Sequence, residues 1–188
     1  METRDILIAA ALQVLEQSGE TQFSTRAVCA IANVTAPTLY HHFGNADGLL
    51  SAAMAEAFAQ FVASKVAAVQ SANPERALRE GWNNYVQFAA ARPRLYVAMM
   101  GRFLQGAEIP AARQAWELLL ERVRALDAEG RLAVAVPAAA ELAWASATAA
   151  ALLHVTAQQR GTAPPDAAVI GELREQAMRA IVNPKNKD

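Results

Sequence analysis

The chain has 188 residues, 54% of them hydrophobic and 19% charged, with a formal net charge of −1 at neutral pH. That supplies enough apolar surface for a substantial core, and it rules out a nucleic-acid or anionic-membrane partner chosen by overall charge. One cysteine, Cys29, rules out an internal disulfide framework. Alanine is abundant, while glycine and proline number nine and eight, so helices are favoured over strands. The opening "METRDILIAAAL" sets acids beside Arg4 and lacks a cleavage site, which does not fit a secretory signal.

Thr3 is placed to cap a first helix in which Leu7, Ala11, Val14 and Leu15 form one apolar stripe, and Gly19 ends it. "ETQFS" reads as a connector with Phe23 plugging the core. Ser24 opens a short second helix that turns Val28, Ile31 and Ala32 inward. Asn33 then falls where the chain must turn, because asparagine tolerates the left-handed conformation. Thr35 caps a third short helix with Ala36 and Pro37 in its first turn and Leu39 and Phe43 as core anchors. Asn45 caps a fourth, whose apolar positions Leu49, Leu50, Ala53, Phe58, Phe61 and Val62 carry it to about Ala72.

Asn73 and Pro74 open a fifth helix with Leu78, Trp82, Tyr85 and Ala89 on one face and Asn83, Asn84 and Gln87 on the other. Pro93 ends it. A sixth gathers Tyr96, Met99, Met100 and Phe103. A seventh, from near Pro110 to before Gly130, aligns Trp116, Leu119, Leu120, Val123 and Leu126. Pro137 opens an eighth, running to about Arg160, and "GTAPP" separates it from a ninth with Ile170, Leu173, Ala177 and Ile181. The only strand-like run is the short "RLAVAV". The expected fold is all-α with nine helices. Leu142–Gln159 holds 18 residues without a charge, but it is alanine-rich and carries Ser146, Thr148, His154 and Thr156. It reads as a helix of a soluble cytoplasmic protein and not as a membrane span.

Two short helices joined by a tight turn, the second bearing Thr38, Tyr40, His41 and His42, form a helix-turn-helix pattern. Its hydroxyls, phenol and helix N-termini suit phosphate oxygens, Ala36 permits close approach, and His41 reaches towards base edges. The adjacent histidines do not suit a metal, since neighbours on a helix point about 100° apart and ligating pairs need a spacing of three or four. The segment "FSTRAVCAIANVTAPTLYHHFGNADGLL" resembles the DNA-binding region of the tetracycline-repressor (TetR) family of bacterial regulators. The resemblance covers roughly residues 5–50. It implies a DNA-binding domain over 1–47 and a ligand-binding and dimerisation domain over 48–188. It also makes Thr25, Arg26, Ala36, Thr38, Tyr40, His41 and His42 the DNA-contact candidates, on a palindromic operator. Where the family usually has a lysine opening the fourth helix, this chain has Ala46. Over residues 1–47, Arg4 and Arg26 stand against Glu2, Asp5, Glu16, Glu20 and Asp47, a net of −3. Few counterions are then released on binding, and a shallow salt dependence is expected.

In the larger part, the eighth helix is apolar nearly all round. One face carries Trp144, Ala147, Thr148, Ala151, His154, Val155 and Gln158; the opposite one carries Leu142, Ala145, Ala149, Leu153 and Thr156. The second face is smooth, and with Ile170, Leu173, Ala177 and Ile181 of the ninth helix it could form a homodimer across a two-fold axis. The first face is expected to line a cavity for a small apolar or aromatic effector. The other lining candidates are Trp82, Tyr85, Phe88, Tyr96, Met99, Met100, Phe103 and Trp116. No charge is evident on the buried stripes, which argues against a strongly ionic effector. Cys29, beside the core stripe of the second helix, is expected to be structural and buried. No catalytic set, phosphate loop or metal spacing appears, so neither an enzyme nor a bound cofactor or metal is expected. The rival to a ligand-responsive repressor is a sensor or scaffold of the same fold whose operator binding is weak or lost.

Overall fold

The structure, a computed structural model, describes residues 2–183. Among the described residues are nine α-helices and no strands. They are α1 (Thr3–Ser18), α2 (Thr25–Ala32), α3 (Ala36–Phe43), α4 (Ala46–Ala68), α5 (Pro74–Ala91), α6 (Pro93–Leu104), α7 (Pro110–Ala128), α8 (Val136–Arg160) and α9 (Ala167–Ile181). A 3-10 turn at Glu20–Gln22 follows α1. The strand-like run contributes a single antiparallel rung between Leu132 and Val182.

Short polar side chains set several helix ends. The Thr35 hydroxyl accepts the N–H of Thr38, Asn45 Oδ1 accepts that of Gly48 at 2.8 Å, and Asn73 Oδ1 that of Arg76 at 3.0 Å. Asn33 closes α2 in the left-handed region at φ 52° and ψ 47°. Three expected details differ. Thr3 lies inside α1, whose first turn is tied instead by the Glu2 N–H donating to the Asp5 carboxylate at 3.3 Å. Ser24 occupies the N-cap of α2, but its hydroxyl makes no capping bond. α4 stops at Ala68, short of residue 72, because the N–H groups of Gln70 and Ser71 turn to the Glu80 carboxylate at 3.0 and 3.2 Å.

The chain forms two compact units that do not follow sequence order. The first takes the chain up to Phe61 together with Arg92–Ala111; the second takes Val62–Ala91 and everything described from Ala112 on. In the first unit α1 packs against α2 and α6 around the wholly buried Leu7, Leu15, Val28, Leu39, Leu49 and Leu95. In the second, α5 packs on α8 and α8 on α9, with Leu78, Leu126, Met178 and Ile181 inside. Ile31 is 41% exposed, against expectation. On a two-turn helix it stands about 60° from Val28, which alone fills the narrow inner face. Phe103 is 43% exposed, since it lies in the last turn of α6, beyond the buried stripe that ends at Met99. Cys29 is only half-buried.

On α8, Ala139, Ala143, Ala147, Ala150, Ala151 and Val155 are buried, whereas Leu142, Ala145, Ala149, Leu152, Leu153 and Thr156 are exposed. α9 differs from expectation. Ala177 and Ile181 are buried and Ile170 and Leu173 half-buried, so these four serve the chain's own core. The outward stripe of α9 is Val169, Glu172, Gln176 and Ala180. α4 and α8 are each long and apolar enough to cross a membrane by length and composition alone, and both also supply buried core residues.

Candidate nucleic-acid interface

The left-handed Asn33 reverses the chain between α2 and α3, and the Val34 N–H donates back to the Cys29 carbonyl at 3.1 Å. Leu39 is fully buried and Phe43 half-buried, so α3 is held by its inner edge. Ala36, Tyr40, His41 and His42 are exposed to solvent, His41 directly opposite the anchored side, and Arg26 is exposed in the first turn of α2. Thr25 and Thr38 are half-buried. The Thr38 and Thr35 hydroxyls lie 2.9 Å apart, so Thr38 helps build the cap of α3 while keeping further hydrogen-bonding capacity. The imidazoles of His41 and His42 meet edge to face, 5.5 Å between centroids. Among the described residues no group of three or more His, Cys, Asp or Glu could hold a metal ion.

Gly48 fixes how α3 is followed by α4. A Cβ at this position would stand 2.1 Å from the Phe43 carbonyl oxygen, a contact with backbone that no side chain can relieve. The last residue of α3 and the first turn of α4 therefore touch main chain to main chain. Nothing in the hydrophobic periodicity marks this glycine.

The acidic charge counted over residues 1–47 is largely answered from α6 and its N-cap residue, Arg92. Arg92 pairs with Glu16 and also donates to Gln60 Oε1 at 2.9 Å. Arg102 reaches Glu20 at 3.3 Å and Asp47 at 3.5 Å. Arg94 donates to the Gln17 carbonyl. Arg4 is already committed, with its guanidinium 5.5 Å over the Phe43 ring. Three of the five acids are thus screened by arginines at least 55 residues away in sequence. Partners so distant leave no local trace from which the pairing could be read.

The effector-lining candidates divide between the units. Tyr96 and Met99 are buried, Met100 half-buried and Phe103 exposed, all on α6 in the first unit. Trp82, Tyr85, Phe88, Trp116, Trp144, Thr148 and His154 belong to the second. There α5 and α8 bring two pairs together: the Trp82 indole N–H donates to Ser146 Oγ at 2.9 Å, and the Tyr85 hydroxyl lies 3.2 Å from Thr148 Oγ1. Phe88, Trp116, Trp144 and His154 are half-buried. The expectation that no charge is buried fails at Lys65, which is 5% exposed with its ammonium 5.8 Å from the Tyr85 ring centroid. Its signal was present in the sequence: Phe58, Phe61, Val62 and Lys65 follow the i, i+3, i+4, i+7 stripe, so the lysine occupies a core position.

Residues 7–53, which hold α2, α3 and the residues just described on them, match the model of the family "Bacterial regulatory proteins, tetR family". No curated protein matches the chain. Solved structures extend the likeness over the whole length. A protein of unknown function from Rhodococcus sp. RHA1 superposes with a TM-score of 0.83 at 22% identity, covering 97% of both chains. A TetR-family transcription regulator from Marinobacter aquaeolei VT8 gives a TM-score of 0.73 at 16% identity, covering 97% of this chain and 96% of that one. A TetR-family transcriptional regulator from Pectobacterium atrosepticum is 26% identical with a TM-score of 0.66, over 95% of this chain and 89% of that one. Residues 7–53 thus match the helix-turn-helix head of the tetR family of bacterial regulatory proteins, and the helical fold of the described residues is shared with solved regulators of that family.

Proposed function

We propose that the chain is a cytoplasmic, ligand-responsive repressor, not an enzyme, in which residues 1–47 bind a palindromic operator and residues 48–188 carry the effector site and the dimer interface. The observation that carries this reading is the exposure of Ala36, Tyr40, His41 and His42 on α3 while Leu39 and Phe43 hold the helix from within. A helix so anchored offers its polar edge to the major groove, and Thr25, Arg26 and Thr38 lie where phosphates would flank it. The arginines of α6 support DNA binding over its loss, because they remove much of the repulsion that Glu16, Glu20 and Asp47 would exert on a phosphate backbone.

Family members act as dimers, and a second copy is proposed to dock on the exposed Leu142, Ala145, Ala149 and Leu153 of α8 together with Val169 of α9. Two-fold pairing sets the heads about 34–36 Å apart, one turn of duplex. A small apolar or aromatic effector, bound in the second unit among α5, α7 and α8, acts through α4, whose residues are divided between the two units. It releases DNA only if it prefers the conformation that does not bind.

Fluorescence anisotropy with duplex DNA from the chain's own upstream region, titrated at several salt concentrations, tests the reading. Specific DNA should bind more tightly than scrambled DNA, with a shallow salt slope of roughly 0.9 per phosphate neutralised. Tyr40→Phe and Thr38→Ala should each weaken specific binding. Equal affinity for both duplexes would sink the repressor reading.

A further inference from the structure

The first unit holds five arginines and no lysine. Three of the five are occupied within the protein: Arg92 with Glu16, Arg102 with Glu20 and Asp47, and Arg94 with the Gln17 carbonyl. The other two, Arg4 and Arg26, are exposed, and among the described residues neither guanidinium is bonded to an acid or a carbonyl. Arg26 already belongs to the proposed interface. Arg4 stands on α1, outside the two helices of the motif.

Arg4 is nevertheless joined to α3. Its guanidinium lies 5.5 Å over the ring of Phe43, the last residue of α3, and that ring is 6.2 Å from the imidazole of His42. His42 in turn meets His41 at 5.5 Å. The four side chains form one continuous row, and its three polar members are exposed. A ring face covers one side of a guanidinium and takes none of its five N–H donors. The contact therefore fixes where the charge stands and leaves its hydrogen bonds to be made outside. The acids nearest in sequence do not take them. Asp5 accepts the Glu2 N–H at 3.3 Å within the first turn of α1, and neither carboxylate pairs with Arg4. The planar fork of an arginine matches the oxygens of a phosphate, and stacking on a ring limits the freedom that such a bond would otherwise freeze.

We propose that Arg4 binds a phosphate of the DNA backbone at the C-terminal end of α3, with Phe43 holding it in place. This rests on the DNA-binding reading and adds to the interface a residue from outside the helix-turn-helix. Phosphate contacts position a protein without selecting sequence, so Arg4 should strengthen the binding of specific and scrambled duplexes alike.

Fluorescence anisotropy on the full chain, with the upstream duplex and its scrambled counterpart over a range of salt concentrations, tests it. Arg4→Gln and Arg4→Met should each weaken the binding of both duplexes about five- to tenfold at low salt. Each should also lower the log–log salt slope by about 0.9 for every head bound. Arg4→Lys, which keeps the charge, should keep the slope. Weaker binding with an unchanged slope would make Arg4 a mere prop for α3 and overturn the proposal. A loss confined to the specific duplex, or no loss at all, would overturn it too. If the parent chain binds both duplexes equally while the neutral variants still lower the slope, the phosphate contact stands and the operator reading falls. A parent chain that binds neither duplex would sink both.

Discussion

The two units treat polar groups in opposite ways. In the first, Tyr40, His41, His42 and Arg26 point to solvent, and the ion pairs tie α6 to the acids of the head. In the second, Lys65 is buried and the indole of Trp82 and the phenol of Tyr85 are bonded to hydroxyls of α8. A surface that must meet a large polyanion needs its donors outside and its own acids neutralised. An interior that holds a lysine and two aromatic donors pays a desolvation cost that their own partners must offset. Under the proposed function the contrast is one of scale: one unit would read a polymer, the other a small molecule.

The strongest test of that contrast is whether the units melt as separate cooperative bodies. All three tryptophans, Trp82, Trp116 and Trp144, lie in the second unit, so their fluorescence reports on it alone. Trp82→Ala should cost about 3–5 kcal/mol and Leu39→Ala about 2–5 kcal/mol. In urea, Leu39→Ala should move the midpoint seen by circular dichroism and leave the tryptophan transition in place. Coincident shifts in both probes would show a single cooperative body and dissolve the contrast. Next comes Gly48→Ala, where the clash with the Phe43 carbonyl forces a backbone shift. Specific DNA affinity should fall about thirtyfold, roughly 2 kcal/mol, with the tryptophan transition unchanged.

An acid titration sharpens the contrast from the other side. Hydrogen bonds from Arg131, then Arg79, hold the Glu75 carboxylate below its ordinary value of 4.5, and Arg79 does the same for Glu175. Because these folded values lie below the unfolded ones, the stabilisation is full above the ordinary carboxylate range and is lost as pH falls through and below it. Arg79→Ala should cost about 1–2 kcal/mol at neutral pH and flatten the acid-induced loss of the tryptophan transition. The smallest effect is expected at Arg102→Ala. Freed from Arg102, Glu20 and Asp47 should weaken DNA binding about fivefold at low salt and much less at high salt.

What could be read in the sequence followed from local physics. Asn33, Thr35, Asn45 and Asn73 act within three or four residues of themselves, and the turn and caps they predict are present. The stripes of α1 and α5 were legible because they are long enough for a 3.6-residue period to show. Ile31 departs from expectation because α2 offers too few turns for the period to fix a face. The end of α4 was missed because Glu80, ten residues beyond Gln70, decides it. In the proposed interface the exposed residues of α3 were recoverable from pattern and resemblance, but their counterions on α6 were not. Lys65 lies between these cases: its stripe is visible in the sequence, but the burial of its charge is set by packing.

The backbone contact at Gly48 has a consequence for how such a regulator changes over generations. A side chain there must push α3 away from α4, so a substitution at this codon moves a helix and not only a surface. The residues at 36, 40, 41 and 42 face solvent and can change without such a shift. Under the proposed function, the groups offered to an operator can therefore vary while the hydrogen of Gly48, where other residues carry a carbon, holds α3 and α4 at one spacing.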